Sequence, residues 1–158
     1  MKRFLSAASF AATLFACSGG GTPMSDASGP ITIVGNWHGH FNNSDGSVVD
    51  ATDVFSGTDS GGTFANVLVQ TLFPMMPGCV GTYRFTGTYT LGGGMLSSMV
   101  SQGTSETTGC ATASMNQAQM PIPMTSFDSL VYSTNGPVTL TGTTLTVTTS
   151  MGPAVFTR

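Results

Sequence analysis

Residues 79–91 read CVGTYRFTGTYTL, and the character of their side chains alternates from one position to the next. Aromatic or aliphatic residues stand at positions 83, 85, 89 and 91, whereas threonine and Arg84 stand at the even positions. A period of two is typical of a β-strand with one buried face. The stretch therefore predicts a strand whose Tyr83, Phe85 and Tyr89 face a core, with Arg84 as a solvated charge outside.

Composition supports an all-β fold around this strand. Of the 158 residues only 7% are charged, against about 25% in an average protein. Glycine, serine and threonine fill the polar positions, which favours strands and turns and leaves few of the residues that helices prefer. The length after removal of a terminal segment suits one domain, which we place at residues 30–158.

Other alternating stretches are separated by turn residues such as glycine, proline and asparagine. They cover residues 31–41, 48–55, 63–73, 95–101, 104–112, 127–133, 137–141, 144–149 and 154–157. Residues 114–125 contain two prolines and are predicted to form an irregular loop. Sequential hairpins at this spacing predict an antiparallel up-and-down barrel or lipocalin-like meander of about eight strands, without helices.

The amino terminus has the pattern of an export signal. Lys2 and Arg3 precede an apolar run over residues 4–15, which is too short to cross a membrane as a helix. The run ends in Leu14-Phe15-Ala16-Cys17, which resembles the lipobox of bacterial lipoproteins. This resemblance implies removal of residues 1–16, lipidation of Cys17 and a flexible tether over residues 17–29. A plain secretory signal with an incidental cysteine is the alternative.

The lipobox resemblance also implies a location and a membrane partner. The protein would be anchored in the cell envelope through Cys17, and Ser18 after the cysteine favours the outer membrane of a Gram-negative bacterium. Loss of residues 1–16 leaves two arginines against seven acidic residues, a net charge of −5. So few positive charges cannot neutralise a run of phosphates, which argues against nucleic acid as a partner.

Two cysteines remain once Cys17 carries lipid. Cys79 and Cys110 form an even pair in an exported protein, where oxidation is expected, so we predict a disulfide between them. In the chain-entropy model such a bridge contributes about 3 to 4 kcal/mol. A metal pair or a redox couple is the alternative, but the sequence has no C-x-x-C motif and no histidine near either cysteine.

Two families share short motifs with the domain. Gly35-Asn36-Trp37, the Gly-Thr-Tyr repeats at 81–83 and 87–89, and the late run 138–147 resemble the lipocalin-like domains of bacterial lipoproteins. The segment from the second Gly-Thr-Tyr through Cys110 to the terminal Phe156-Thr157-Arg158 is similar to the META domain. Both resemblances imply a small β-barrel, and neither carries a catalytic residue to this sequence.

A metal site is the first alternative function. His38 and His40 are the only histidines, and their spacing places both on one face of a strand, with Asp45 or Asp50 as a third ligand. Methionine thioethers suit Cu(I), and Met95 with Met99 or Met120 with Met124 are the candidate pairs. Otherwise the histidines are exposed neighbours of buried Trp37 and Phe41, and the methionines fill gaps in the core.

No enzyme class is indicated. Thr58-Asp59-Ser60-Gly61-Gly62 resembles the serine motif of trypsin-like proteases, but the chain is too short for two barrels and we interpret these residues as a turn. The carboxylates are scattered at predicted loops, without a pair placed for general acid and base catalysis. Nucleophile-elbow, phosphate-loop and dinucleotide motifs are absent from the sequence.

The sequence therefore predicts a monomeric, non-enzymatic, lipid-anchored barrel without a cofactor. It would bind a small apolar ligand or an envelope protein, and a purely structural role is a further alternative. The aromatic residues that alternate inward are the candidate ligand-lining set, although they could equally fill a closed core. They are Trp37, Phe41, Phe64, Tyr83, Phe85, Tyr89 and Phe127.

Overall fold

The computed structural model describes residues 31–71, 73, 76–123, 135–149 and 152–158. The export signal, Cys17, the tether, Met124 and the strand predicted at 127–133, which carries Phe127, lie outside these ranges.

Nine strands lie within the described residues. They are β1 (Gly35–Asn42), β2 (Val48–Thr58), β3 (Gly61–Thr71), β4 (Val80–Gly92), β5 (Met95–Thr108), β6 (Gln117–Pro121), β7 (Asn135–Leu140), β8 (Thr144–Thr149) and β9 (Gly152–Thr157). The only helical element among the described residues is a 3₁₀ turn, Ala113–Met115. The all-β prediction is confirmed.

Eight of the strands form a closed antiparallel barrel. β1 to β5 pair in sequence, β5 pairs with β7, β7 to β9 pair in sequence, and β9 returns to β1. Two of these seams are short. β5 and β7 share three register positions, and β1 and β9 share the single pair His38 and Thr157. The predicted up-and-down barrel is therefore confirmed, and its closure depends on brief contacts between strands distant in sequence.

The two strands predicted at 95–101 and 104–112 are one strand, β5, of 14 residues. Its register with β4 shifts between Thr86 and Gly87, because Thr86 faces Gln102 whereas Gly87 faces Val100, so Ser101 is an extra, bulged residue. A bulge reverses the parity of inward positions. Val100 is accordingly buried before it and Gly103 after it. The prediction of two separate strands was wrong because the change of inward parity at a bulge resembles the end of a strand in the sequence.

Glycine is required opposite the bulge. A side chain at Gly87 would collide with the carbonyl oxygen of Met99 and would meet the ring of Phe64 at 2.7 Å. The Gly-Thr-Tyr repeat of β4 thus keeps its second glycine where the bulged strand and a core aromatic ring approach most closely.

Residues 114–125, predicted as an irregular loop, contain a strand. β6 pairs with the last part of β5, on the same edge that β7 occupies near the start of β5. Residues 117–121 are all exposed, so β6 lies outside the barrel wall. Proline at two positions suggested a loop, but prolines are tolerated in a strand at a sheet edge.

The disulfide predicted between Cys79 and Cys110 is present. Cys79 directly precedes β4, and Cys110 follows β5 by two residues, just beyond the last register pair of Val80 with Thr108. The bridge therefore joins the ends of the two longest strands at one end of the barrel.

The opposite end, which we name the closed end, holds the β2–β3 and β4–β5 turns. Its inward aromatic side chains are buried, and Phe55 contacts Tyr89 edge-on with ring centroids 5.0 Å apart. Residues 31–34 cross beneath it, and their Ile33 is fully buried. Asp59 holds this segment by accepting hydrogen bonds from the Ile33 amide at 3.0 Å and from the Thr32 hydroxyl.

The end that carries the disulfide, which we name the open end, is packed less completely. The residues in register there point inward and are only half-buried. They are Phe41, Val49, Leu68, Gln70 and Tyr83. The ring of Phe41 lies over Gly39 and contacts Phe156 edge-on at 5.5 Å.

Candidate functional site

Five neighbouring strands each place one inward residue at the same level of the barrel. Trp37, Asp53, Asn66, Phe85 and Gly103 are successive register partners from β1 to β5. This level lies between the buried aromatic side chains of the closed end and the half-buried side chains of the open end. The polar side chains of Asp53 and Asn66 thus stand inside the barrel at this level.

Asp53 and Asn66 form a buried polar pair. Their exposed fractions are 4% and 1%, and the Asn66 Nδ2 group donates a hydrogen bond to Asp53 Oδ1. Burial raises the pKa of Asp53 to about 7, although this hydrogen bond acts in the opposite direction. Burial penalises the charged carboxylate, so the carboxyl group can hold a proton near neutral pH.

The pair leaves one hydrogen-bonding group without a partner. Asn66 Oδ1 is buried and accepts no hydrogen bond from the described residues. A side-chain amide offers two donors and an acceptor, and burial of an unpaired polar atom costs about 1 to 3 kcal/mol. Most buried polar atoms in native proteins have a protein, water or ligand partner. The Asn66 carbonyl oxygen is thus a buried acceptor without a partner among the described residues.

The sequence interpretation missed this pair, although the alternation contains its signal. Asp53 was placed among the scattered loop carboxylates, but it lies within β2 and shares the parity of buried Ala51 and Phe55. Asn66 likewise shares the parity of Phe64 within β3. A polar residue at an inward position of an otherwise apolar face was the available indication.

The predicted ligand-lining residues divide between the two ends. Trp37, Phe64, Phe85 and Tyr89 are fully or almost fully buried core residues. The Trp37 indole donates to the Ile33 carbonyl at 2.7 Å, and the Tyr89 hydroxyl donates to the Thr58 carbonyl at 2.6 Å. Phe41 and Tyr83 lie at the open end and are half-buried. Phe127 is outside the described residues.

The predicted histidine pair lies on the outer wall, beside the short seam between β1 and β9. His38 and His40 line an open groove of about 440 Å³ together with Asp50, Thr52 and Val155. His40 Nδ1 is 2.6 Å from Asp50 Oδ1, and His38 Nδ1 is 3.2 Å from Thr52 Oγ1. Of the two predicted third ligands, Asp50 thus reaches the pair. Asp45 instead accepts hydrogen bonds from the Ser47 amide and hydroxyl in the β1–β2 turn.

The methionine pairs are not arranged as thioether sites where the structure describes them. Met95 and Met99 are exposed and stand four residues apart on β5, a separation of about 13 Å along a strand. Met120 is exposed on β6, and its predicted companion Met124 lies outside the described residues. Within the described chain no group of three or more histidine, cysteine or acidic side chains is placed to hold a metal ion.

Arg84 is not the isolated charge that the alternation predicted. It faces outward on β4 as expected, but its Nη1 atom is 3.3 Å from Glu106 Oε2 on β5. Both side chains are partly exposed, and such surface pairs contribute little to stability. This contact gives no indication of a binding role for Arg84.

Comparison with protein-family models, with curated proteins and with solved structures found no match. In the part of the chain that the structure describes, no helix is long and apolar enough to cross a membrane.

Proposed function

We propose that the protein is a non-enzymatic binding protein whose barrel holds a small, mainly apolar molecule at its open end. Asp53 and Asn66 would receive the polar group of that molecule. The observation that carries this proposal is the buried Asn66 Oδ1 atom, which has no hydrogen-bond partner among the described residues.

The surroundings of this atom define the ligand. Phe41, Leu68 and Tyr83 offer apolar surface at the mouth and are only half-buried. A pocket with apolar walls and a few placed polar groups is the usual form of a small-molecule site. Asn66 Oδ1 can pair only with a hydrogen-bond donor. A hydroxyl or amine therefore fits better than a carboxylate, whose charge would be buried beside Asp53.

Three probes with one alkyl chain test the proposal: 1-decanol, decylamine and decanoate, titrated into the full-length protein by calorimetry. We expect decanol and decylamine to bind at least about tenfold more tightly than decanoate, because the anion leaves the acceptor unpaired. Asn66→Leu should abolish this preference among head groups. Asn36→Leu, which changes an exposed asparagine on β1, is the matched control and should retain the preference.

Each alternative outcome contradicts the proposal in a distinct way. If none of the three probes binds, the barrel is a solid structural or protein-binding domain and Asn66 Oδ1 is satisfied by water. If the probes bind equally to the wild type and to Asn66→Leu, the polar pair has no part in recognition.

We also propose that the barrel is held at the envelope by lipid on Cys17. The support for this anchor is the lipobox-like Leu14-Phe15-Ala16-Cys17 after the apolar run 4–15. Metabolic labelling with palmitate should mark the wild type in the membrane fraction and leave Cys17→Ser unlabelled. Equal labelling of both proteins would contradict lipid attachment at Cys17.

A further inference from the structure

The seam between β1 and β9 holds a second group of polar side chains, which is separate from Asp53 and Asn66. Because the two strands share only the register pair of His38 with Thr157, they separate beside it and leave the groove that contains both histidines. Val155 of β9 is 47% exposed on the far side of this groove. The groove is on the outer wall, whereas Asp53 and Asn66 are inside the barrel.

The two imidazoles are held with the same ring nitrogen toward the protein. The Asp50 carboxylate can only accept, so His40 Nδ1 carries the hydrogen in the 2.6 Å contact. His38 Nδ1 lies 3.2 Å from the Thr52 hydroxyl, which can accept a hydrogen bond from this nitrogen or donate one to it. These partners lie directly across the strand pair, since His38 faces Thr52 and His40 faces Asp50 in the β1–β2 register.

The other ring nitrogen, Nε2, is the candidate ligand atom of each histidine. Neither Nε2 atom has a hydrogen-bond partner among the described residues, and the i, i+2 spacing places the two residues about 6.6 Å apart on one face of the strand. In metal sites the ligating imidazole commonly gives its other N–H to a carboxylate or a similar acceptor, which fixes the tautomer and the ring orientation. Asp50 stands in that position toward His40.

We propose that His38 and His40 form a two-imidazole site for a divalent transition-metal ion, oriented by Asp50 and Thr52 from the neighbouring strand. Imidazole suits Cu²⁺, Ni²⁺ and Zn²⁺, and the general order of stability makes Cu²⁺ the most tightly bound. Asp50 is a positioning residue and not a ligand, which agrees with the absence of a three-ligand cluster in the described chain. Water completes the coordination, so the ion is exchangeable.

Titration of the full-length protein with CuCl₂ and ZnCl₂ tests this site, with calorimetry for affinity and electron paramagnetic resonance for the ligands of Cu²⁺. We expect one Cu²⁺ per chain, nitrogen coupling from two imidazoles, and binding at least about tenfold tighter than that of Zn²⁺. His38→Gln or His40→Gln should weaken Cu²⁺ binding by more than about tenfold and leave coupling from one nitrogen. Both side chains are exposed, so the fold should be retained.

A variant of Asp50 tests its role in orienting His40. Asp50→Asn should keep both nitrogen couplings but weaken Cu²⁺ binding by about tenfold or more, because the second partner of a ligating histidine is replaced. Glu106→Gln, a partly exposed acid on β5 remote from the groove, is the matched control and should bind as the wild type does. Unchanged affinity in the double variant His38→Gln/His40→Gln, or equal affinities of Asp50→Asn and Glu106→Gln, would overturn the proposal.

Discussion

The two ends of the barrel have similar inward-facing aromatic residues, but these residues differ in burial and in hydrogen bonding. At the closed end the aromatic side chains are buried and their polar groups are paired, as for the Tyr89 hydroxyl with Thr58 and the Trp37 indole with Ile33. At the open end Phe41 and Tyr83 are only half-buried, and the adjacent Asn66 Oδ1 has no hydrogen-bond partner among the described residues. The aromatic residues of the closed end are therefore the better packed, and the open end is where we propose that a ligand binds.

The difference follows from what covers each end. Residues 31–34 cross the closed end, where Asp59 and the exposed Arg158 hold them. The Arg158 guanidinium lies 4.5 Å from the centre of the Trp37 ring and 3.4 Å from the Val34 carbonyl oxygen. The β1–β2 turn at the open end is instead tied to the wall through Ser47, which accepts a hydrogen bond from Gln70 at 2.9 Å.

The largest expected effect compares one phenylalanine at each end. Phe64→Ala should lower the free energy of unfolding by about 3 to 5 kcal/mol, because it removes a buried ring and leaves a cavity. Phe41→Ala should cost about 1 to 2 kcal/mol, since its ring is already partly in water. Urea denaturation of the two variants measures the difference. Equal losses would show that the open end is packed as firmly as the closed one.

The strand pattern of this barrel is predictable from sequence because alternation is a local property. Residues 79–91 predicted β4 to within a residue at each end, and the inward parity of Phe85 and Tyr89 was confirmed. Parity alone could not distinguish the bulge at Ser101 from a strand end. Nor could it predict closure, because the β5–β7 and β1–β9 seams join segments far apart in sequence through a few register positions.

The candidate sites show the same limit. His38 and His40 were identified from their spacing, but their orientation depends on Asp50 and Thr52, which only the β1–β2 register brings beside them. Asp53 and Asn66 are thirteen residues apart, and each alone resembles an ordinary polar residue. Their contact required the register of β2 with β3, which turn residues constrain but do not determine.

The second prediction uses the carboxyl group at the boundary between the ends. The pKa of Asp53 is raised from 3.8 to about 7 by burial, so the native state holds a proton that the unfolded chain releases. The resulting stability is full below about pH 4 and is lost as the pH rises to about 7, with a limit of about 4 kcal/mol. Asp53→Asn should abolish this slope in urea denaturation between pH 4 and 7.

Asp45 provides the matched control for that measurement. Its pKa is lowered by hydrogen bonds from the Ser47 hydroxyl and amide, so its contribution is present above pH 3.8 and is lost only as the pH falls further. Asp45→Asn should therefore leave the slope between pH 4 and 7 unchanged. A wild-type curve that is flat over this range, or parallel to that of Asp53→Asn, would contradict the assigned burial of a protonated Asp53.

The smallest expected effect compares the two tyrosines of β4. Tyr89→Phe removes the hydrogen bond to the Thr58 carbonyl at the closed end and should cost about 1 kcal/mol. Tyr83→Phe should change stability by less than about 0.5 kcal/mol, because the Tyr83 hydroxyl has no hydrogen-bond partner among the described residues. Burial first, and then the charge of Asp59, raises the pKa of Tyr89. The cost of Tyr89→Phe should therefore persist to pH 10 and shrink above it, as the wild type loses the stability linked to that proton.

Equal costs for the two variants at pH 7 would remove the distinction between a hydrogen-bonded closed end and a mouth whose aromatic residues are free to contact a ligand.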